Sequence, residues 1–332
     1  MEKFRIAILG AGHIAATMAA TVRQMEGAEI YAVASRSLER AEAFARQFGI
    51  ARAYGSYEVE LVYVATPHSH HAEHAHMCIL HGKPALVEKA FTANARQAEE
   101  VLQLAAERHV LVTEAIWTRY MPFSKTIVEL ANSGIIGRPM KLSAHLSYPM
   151  ADKERIVRPE LAGGALLDIG VYCINFAIMA FGDDIKRISS LAVKSDTGVD
   201  MQDNIVFVYD DGRIATMESS AFTADDRQGI ICGDKGYLIV DNINNPTRVD
   251  VYDPGHTLVK TVTCPPTITG YEFEVQACID AVRAGRLECP DMPHAETLRI
   301  MRLMDGLREV SVIRLSDGQS GSVFRCCRYW YH

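Results

Sequence analysis

The sequence predicts an α/β protein of two domains, the first of which is built on a doubly wound parallel sheet. Its 332 residues exceed what one ordinary core holds, and two domains of usual size account for that length. Short β-rich apolar runs recur in the N-terminal third, and each ends in glycine or polar residues, as buried parallel strands do. The first run passes through a glycine-rich turn directly into a helical pattern.

The first element is the strand predicted at Phe4–Leu9, which residues 10–15 follow with the sequence Gly-Ala-Gly-His-Ile-Ala. In this G-x-G-x-x-A pattern, Gly10 permits a tight turn, Gly12 lets backbone amides approach a pyrophosphate, and Ala15 lets the helix pack closely. A glycine turn without a ligand is the alternative. The pattern predicts a Rossmann dinucleotide site, and the residues that we expect to line it here are Gly10, Gly12, His13 and Ile14.

The choice of cofactor depends on the end of the second predicted strand, Glu29–Ala34, which follows at the distance typical of a βαβ unit. NAD enzymes usually place an Asp or Glu there to accept hydrogen bonds from the ribose hydroxyls. This chain has Ser35 and Arg36 instead, and a guanidinium can pair with a 2′-phosphate while its plane stacks on adenine. NADP is therefore favoured, NAD stays possible, and a solvated surface role for Arg36 is the alternative.

Two further buried strand patterns, at 61–65 and 84–87, also end in residues that can bind a ligand. Ligands of doubly wound sheets bind beyond the carboxyl ends of the strands. The residues expected to face the cofactor there are Thr66, Pro67, His68, Glu88 and Lys89. The helix between the two strands is rich in histidine, but no convincing set of metal ligands accompanies it, so the sequence predicts no metal site.

Composition excludes several classes of protein. Hydrophobic residues at 48% and charged residues at 23% are typical of a globular protein, and no apolar run approaches the length of a membrane span. A net charge of −7 without a basic block argues against nucleic acid as a partner. The N-terminus lacks a secretory pattern, and the eight scattered cysteines contain no metal-type pair. These features indicate a cytoplasmic protein with reduced thiols.

Three motifs carry a family resemblance: Glu88-Lys89, then Glu114 to Arg119, then Gly163 to Tyr172. In this order they resemble the Gfo/Idh/MocA oxidoreductases, and within them the branch of dimeric dihydrodiol dehydrogenases and NADP-dependent D-xylose dehydrogenases. The resemblance implies an N-terminal Rossmann domain over 1–118 and a C-terminal α/β domain over 119–315. The second domain has a large open, mostly antiparallel sheet, through which a homodimer or higher homo-oligomer forms. Residues 316–332 do not resemble the family's ending and form an atypical tail.

The resemblance also implies the roles of individual residues. Lys89, Asp168 and Tyr172 match the catalytic region of the family, and His71, Trp117 and Arg119 match residues near the nicotinamide or substrate. Hydride leaves a carbinol carbon only if the hydroxyl proton is taken up, and both Lys89 and Tyr172 can accept it. Asp168 orients the substrate or holds the lysine. Each of these roles has a structural alternative: a surface position for the lysine, helix capping for the aspartate, and packing for the tyrosine and the tryptophan.

The expected function is therefore that of an NAD(P)-dependent dehydrogenase acting on CH–OH donors, with NADP favoured. It transfers hydride between the nicotinamide and a secondary carbinol of a vicinal diol, sugar or polyol. The alternatives are an NAD-linked inositol or sugar dehydrogenase and a non-catalytic dinucleotide-binding sensor or regulator of the same fold. Two departures from the family stand out: Ala90 replaces the usual proline after Lys89, and the stretch from Tyr54 to Leu61 is shorter than in relatives.

Overall fold

The computed structural model describes residues 3–35, 37–53 and 60–310. Three features singled out above therefore lie outside the described residues: Arg36, the short stretch before Leu61, and the tail. The chain divides into two compact units, the first formed by Met1–Met121 with Pro266–Arg302 and the second by Pro122–Pro265 with Leu303–His332. The expected domains divide at 118 instead, and the segment 266–302, expected in the second domain, groups with the first unit.

The first unit contains a five-stranded parallel sheet with the strand order β2-β1-β3-β4-β5. Its strands are β1 Phe4–Leu9, β2 Ala28–Ala34, β3 Leu61–Val64, β4 Ala85–Glu88 and β5 Val112–Ala115. A single bridge beside β2, in which the Val33 amide donates to the Arg52 carbonyl at 3.0 Å, occupies the place of the third Rossmann strand. The predicted doubly wound parallel sheet is confirmed. Its fifth strand, β5, was not predicted from the sequence.

These strands are connected by the helices α1 His13–Val22, α2 Leu38–Phe48, α3 His68–Leu80 and α4 Ala95–Arg108. Helix α8 Glu272–Arg283 belongs to the segment 266–302 of the same unit. Side-chain caps explain two of the starts: Ser37 accepts from the Arg40 amide at 3.3 Å, and Asn94 accepts from the Gln97 amide at 3.0 Å. Because crossovers are right-handed, the reversal of strand order at β1 places α1 and α2 on one face of the sheet and α3 and α4 on the other. The carboxyl ends of all five strands thus share one edge.

The second unit contains an eight-stranded sheet in the order β13-β12-β11-β10-β6-β9-β8-β7. Its strands are β6 Pro139–Ser147, β7 Ile185–Lys194, β8 Asp200–Tyr209, β9 Ile214–Ser220, β10 Gly229–Gly233, β11 Gly236–Val240, β12 Arg248–Tyr252 and β13 Leu258–Thr263. Only β6 and β9 pair in parallel, so the mostly antiparallel sheet implied by the family is confirmed. Strand β13 was not predicted, since most of its side chains are exposed and show no alternating pattern.

The other helices are α5 Pro122–Asn132, α6 Glu154–Val157, α7 Val171–Phe181 and α9 His294–Val310, the last of which begins in the first unit. Helix α7 follows a π-helical turn at Leu166–Gly170. Contrary to the expectation from the sequence, one stretch, Pro159–Phe181, is long and apolar enough to cross a membrane, but 89% of its most apolar part is buried. This burial is typical of the core helix of a globular domain.

Candidate active site

The glycine turn after β1 lies at the carboxyl edge of the parallel sheet. Gly10 has a φ of +117°, and a Cβ atom there would lie 2.4 Å from the carbonyl oxygen of Ala65, at the end of β3. Gly12 differs, because its backbone is extended and a Cβ atom would have no neighbour within 4 Å. The first glycine is therefore required by the sheet itself, while the second leaves open space above the start of α1.

This open space fits the pyrophosphate of a dinucleotide. Helix α1 begins at His13 directly after Gly12, which has no side chain to cap the amides of the first turn. Amides at a helix N-terminus bind anions, and the helix dipole adds to the attraction. Gly12 and His13 are exposed and Ile14 is half-buried, so the surroundings of the turn are accessible. Ser35, after β2, and Thr66 and Pro67, after β3, are half-buried at the same edge.

The histidines of α3 make contacts within the first unit. Nδ1 of His74 lies 3.0 Å from the Thr66 hydroxyl, and the ring of buried His68 meets the His71 ring edge-on. Among the residues that the structure describes, the grouping that could hold a metal ion lies elsewhere, at His145, Asp225 and Asp226 of the second unit. There, Nε2 of His145 and Oδ1 of Asp226 already contact each other.

Buried side chains fix the backbone on both sides of Lys89. The Lys89 amide donates to Oε2 of Glu88 at 3.2 Å, and the other oxygen of Glu88 accepts from the hydroxyl of buried Tyr63. The amide of Phe91 donates to Oε1 of Glu114 at 3.0 Å. The peptide bond from Lys89 to Ala90 is cis. Lys89, half-buried itself, therefore extends from a segment whose backbone is held by two carboxyl groups.

His71 connects this segment to the end of β3. Its Nδ1 lies 2.9 Å from the carbonyl oxygen of Ala90, and its Nε2 lies 2.7 Å from that of Thr66. Burial lowers the pKa of His71 to about 3, so the ring is neutral near pH 7 and donates to only one of the two carbonyls at a time. His71 is fully buried and links the ends of β3 and β4, and its place near the nicotinamide or substrate stays a prediction.

Two more carboxyl groups of the first unit are buried near Glu88. Burial raises the pKa of Glu114 to about 7. Burial, and then the negative charge of Glu88, raise the pKa of Glu274 well above its ordinary value. Neither oxygen of Glu274 has a hydrogen-bond partner among the described residues. Both effects favour the protonated form of Glu274, which avoids a second negative charge beside Glu88.

Trp117 and Arg119 lie on the short 3-10 turn after β5 and contact the segment that returns to the first unit. The ring of Trp117 stacks on Tyr271 with a centroid distance of 4.3 Å, and Arg119 pairs with Glu296 at 2.5 Å. The side chain of Arg119 is only 11% exposed. Sequence reasoning found neither partner, because they lie more than 150 residues away and carry no motif of their own.

In the second unit, Asp168 belongs to the π-helical turn and Tyr172 to the first turn of α7, and both are buried. π turns like this one occur often at functional sites. Oδ2 of Asp168 pairs with Nη1 of Arg155 at 2.6 Å. Arg155, on α6, was not predicted, because its only signal in the sequence is its position in a mixed-charge loop.

Both halves of the chain match known families. Residues 4–116 match the oxidoreductase family with an NAD-binding Rossmann fold, and residues 124–239 match the GFO/IDH/MocA C-terminal domain. Trans-1,2-dihydrobenzene-1,2-diol dehydrogenase of Xenopus laevis is 33% identical over 295 residues, which cover 83% of this chain and 88% of that one. D-xylose 1-dehydrogenase (NADP(+)) of Hypocrea jecorina is 32% identical over 325 residues, covering 83% and 82%.

Solved structures agree with these matches. The crystal structure of a 3-ketoreductase from Actinomadura kijaniata, in complex with NADP and TDP-benzene, has a TM-score of 0.86 to this chain. It is 25% identical and covers 95% of this chain and 100% of that one.

Proposed function

The chain belongs to the Gfo/Idh/MocA family of NAD(P)-dependent oxidoreductases, and we propose that it is an NADP-dependent dehydrogenase that acts on a vicinal diol, sugar or polyol. The observation that carries the proposal is the Lys89 segment, which buried Glu88, His71 and Glu114 hold at the same sheet edge as the glycine turn. A lysine that only contacts solvent needs no such support. A basic group fixed beside a dinucleotide site suits proton transfer coupled to hydride transfer.

In the proposed reaction, the bound nicotinamide supplies the hydride acceptor or donor. During oxidation of the substrate, Lys89 in its neutral form takes the proton of the carbinol hydroxyl at Nζ; during reduction it returns a proton to the carbonyl oxygen. Tyr172 acts on the same hydroxyl as a second proton donor or acceptor. The carboxylate of Asp168 accepts a hydrogen bond from a neighbouring substrate hydroxyl and so fixes which carbon reacts. Vicinal diols, sugars and polyols all present such a neighbouring hydroxyl.

NADP is proposed over NAD because no acidic residue follows β2, where Ser35 and Arg36 stand. The similar D-xylose 1-dehydrogenase (NADP(+)) of Hypocrea jecorina and the 3-ketoreductase of Actinomadura kijaniata, whose structure contains NADP, also support this choice. An NAD-linked inositol or sugar dehydrogenase remains the second candidate, and its supporting observation is the half-exposed Ser35, which leaves room for a ribose hydroxyl. We also propose a cytoplasmic location, supported by the reduced thiols of Cys78, Cys173, Cys232, Cys278 and Cys289.

Titration with NADPH and NADH, followed by nicotinamide fluorescence, tests the proposal. We expect NADPH to bind about 10- to 100-fold more tightly, the effect of one charge-assisted bond to the 2′-phosphate. Turnover is then measured with NADP and a panel of diols, sugars and polyols, at the same protein concentration. Equal affinities would overturn the NADP assignment, and binding of neither cofactor would overturn the dehydrogenase itself. Binding without turnover of any carbinol would favour a sensor or regulator.

We further propose that the eight-stranded sheet forms a homodimer through its open face. One cross-strand row on this face runs through Val206, Thr216, Ser143, Ile230 and Ile239. These side chains alternate with the buried ones of the same strands but are themselves half-buried, although most are apolar. Burial of such a surface against a second copy removes it from water.

We expect Ile230→Lys to convert the protein from a dimer to a monomer, because it places a charge within that row, between Ser143 and Ile239. Light scattering after gel filtration is the measurement, and the wild type should elute at twice the chain mass of 36.7 kDa. Leu80→Lys is the control, since Leu80 is equally apolar and 55% exposed but lies on α3 of the first unit. A dimer that survives Ile230→Lys would place the interface elsewhere.

A further inference from the structure

We propose that Arg155 is a positioning residue of the reaction: it holds the carboxylate of Asp168 ionised and in one orientation for the substrate. The inference rests on the proposed function, which gives Asp168 the task of binding a substrate hydroxyl. Nη1 of Arg155 lies 2.6 Å from Oδ2 of Asp168. A guanidinium at this distance stabilises the charged carboxylate and fixes the direction of its lone pairs.

The loop that carries Arg155 is built onto the segment that leads to Asp168. The amide of Gly164 donates to the Ile156 carbonyl at 2.9 Å, and the amide of Gly163 donates to the Arg158 carbonyl at 3.1 Å. A Cβ atom on Gly163 would lie 2.3 Å from the Ile156 oxygen. Because only glycine permits this approach, the backbone of α6 stays in register with the start of the π turn.

The same segment is fixed from its other side by Asp200. The amide of Leu166 donates to Oδ2 of Asp200 at 2.6 Å, and Gly164, with a φ of +125°, lies so close that a Cβ atom would meet Oδ1 at 2.4 Å. The start of the π turn that holds Asp168 is therefore fixed by contacts that do not involve the ion pair. Arg155 constrains the rotation of the Asp168 side chain.

The burial of the two partners distinguishes this ion pair from its neighbours. The Asp168 side chain is 8% exposed and that of Arg155 is 46% exposed. A buried carboxylate without a cation would take up a proton at a higher pH than an exposed one. Arg158, in contrast, pairs with Glu154 and Glu160, whose side chains are 71% and 65% exposed. Exposed pairs of that kind contribute little.

The test compares Arg155→Gln and Arg155→Lys with Arg158→Gln, a matched loss of a cation from the same loop. In Arg155→Gln we expect kcat/KM to fall about 10- to 100-fold, the usual loss for a charge-assisted bond. We also expect the acidic limb of its pH profile to move to higher pH, and the NADPH affinity to stay within about twofold. Arg155→Lys should restore part of the rate, since it keeps the charge but loses the planar fork. Arg158→Gln should match the wild type.

A double-mutant cycle of Arg155→Gln and Asp168→Asn on the unfolding constant gives a readout that needs no turnover. We expect the two substitutions to be coupled by more than about threefold in that constant. If the two substitutions are coupled but the protein turns over no carbinol, the proposed function is wrong while the ion pair of Arg155 and Asp168 is retained. Additive substitutions, or an Arg155→Gln enzyme with the wild-type rate and pH profile, would overturn the positioning role.

Discussion

Replacement of Lys89 by Met should lower turnover by about 10³-fold and change the affinity for NADPH by less than about threefold. Methionine keeps much of the length and the apolar part of the side chain but cannot take up or return a proton, and removal of a general acid or base typically costs 10²- to 10⁴-fold. Retained binding is expected because the dinucleotide site depends on the glycine turn and α1, which Lys89→Met does not alter. Single-turnover rates with NADP, together with fluorescence titration, give both quantities.

The control for this variant is Lys83→Met, which removes a lysine two residues before the amino end of β4, the edge opposite Lys89. Tyr172→Phe completes the comparison, because the sequence leaves the proton to either residue. If Lys89→Met keeps the wild-type rate while Tyr172→Phe loses it, Tyr172 is the acid/base and Lys89 is not. If Lys89→Met loses NADPH binding as well, the lysine holds the cofactor, and its assignment to proton transfer is wrong.

The glycine turn and Lys89 were predictable from sequence because their signals are local. The run Phe4–Leu9 and the glycines after it lie within a dozen residues, and the resulting strand has the predicted bounds. Lys89 follows β4 directly, so its place at the sheet edge needs no knowledge of distant contacts. The large, mostly antiparallel sheet of the second unit was implied by the family resemblance alone.

The supports of Lys89 and Asp168 were not predictable, because they depend on side chains that the fold brings together. Glu114 interrupts the apolar pattern of β5, so the rule for buried strands does not find that strand, yet its carboxyl group holds the Phe91 amide. The sequence pattern of α8 places Glu274 on the polar face of the helix, although Glu274 is fully buried. Arg155 resembles any surface arginine until the approach of Gly163 to α6 places it beside Asp168. In each case a local rule fails where a polar group serves the site.

Substitution of the two turn glycines by alanine should separate folding from binding: Gly10→Ala should lower stability, whereas Gly12→Ala should lower only the affinity for NADPH. Gly10→Ala should lower the free energy of unfolding by about 3 kcal/mol, because a Cβ atom is strained at a φ of +117° and meets the Ala65 carbonyl oxygen at 2.4 Å. Gly12→Ala should leave that free energy within about 0.5 kcal/mol, since its φ of −98° and ψ of −171° suit any residue and the space around it is open. Denaturant titration monitored by circular dichroism measures both.

Affinity for NADPH separates the two variants further. The methyl group of Gly12→Ala extends into the space where the backbone must approach the pyrophosphate. We therefore expect a well-folded protein whose affinity for NADPH is weaker by at least about tenfold. Gly10→Ala should lose binding only together with stability, since the deformation of the turn displaces the amides of α1. Wild-type affinity in Gly12→Ala would mean that the dinucleotide does not lie above the start of α1. A weaker affinity at unchanged stability, in contrast, assigns the open space beside Gly12 to the phosphate, because no contact within the protein is altered there.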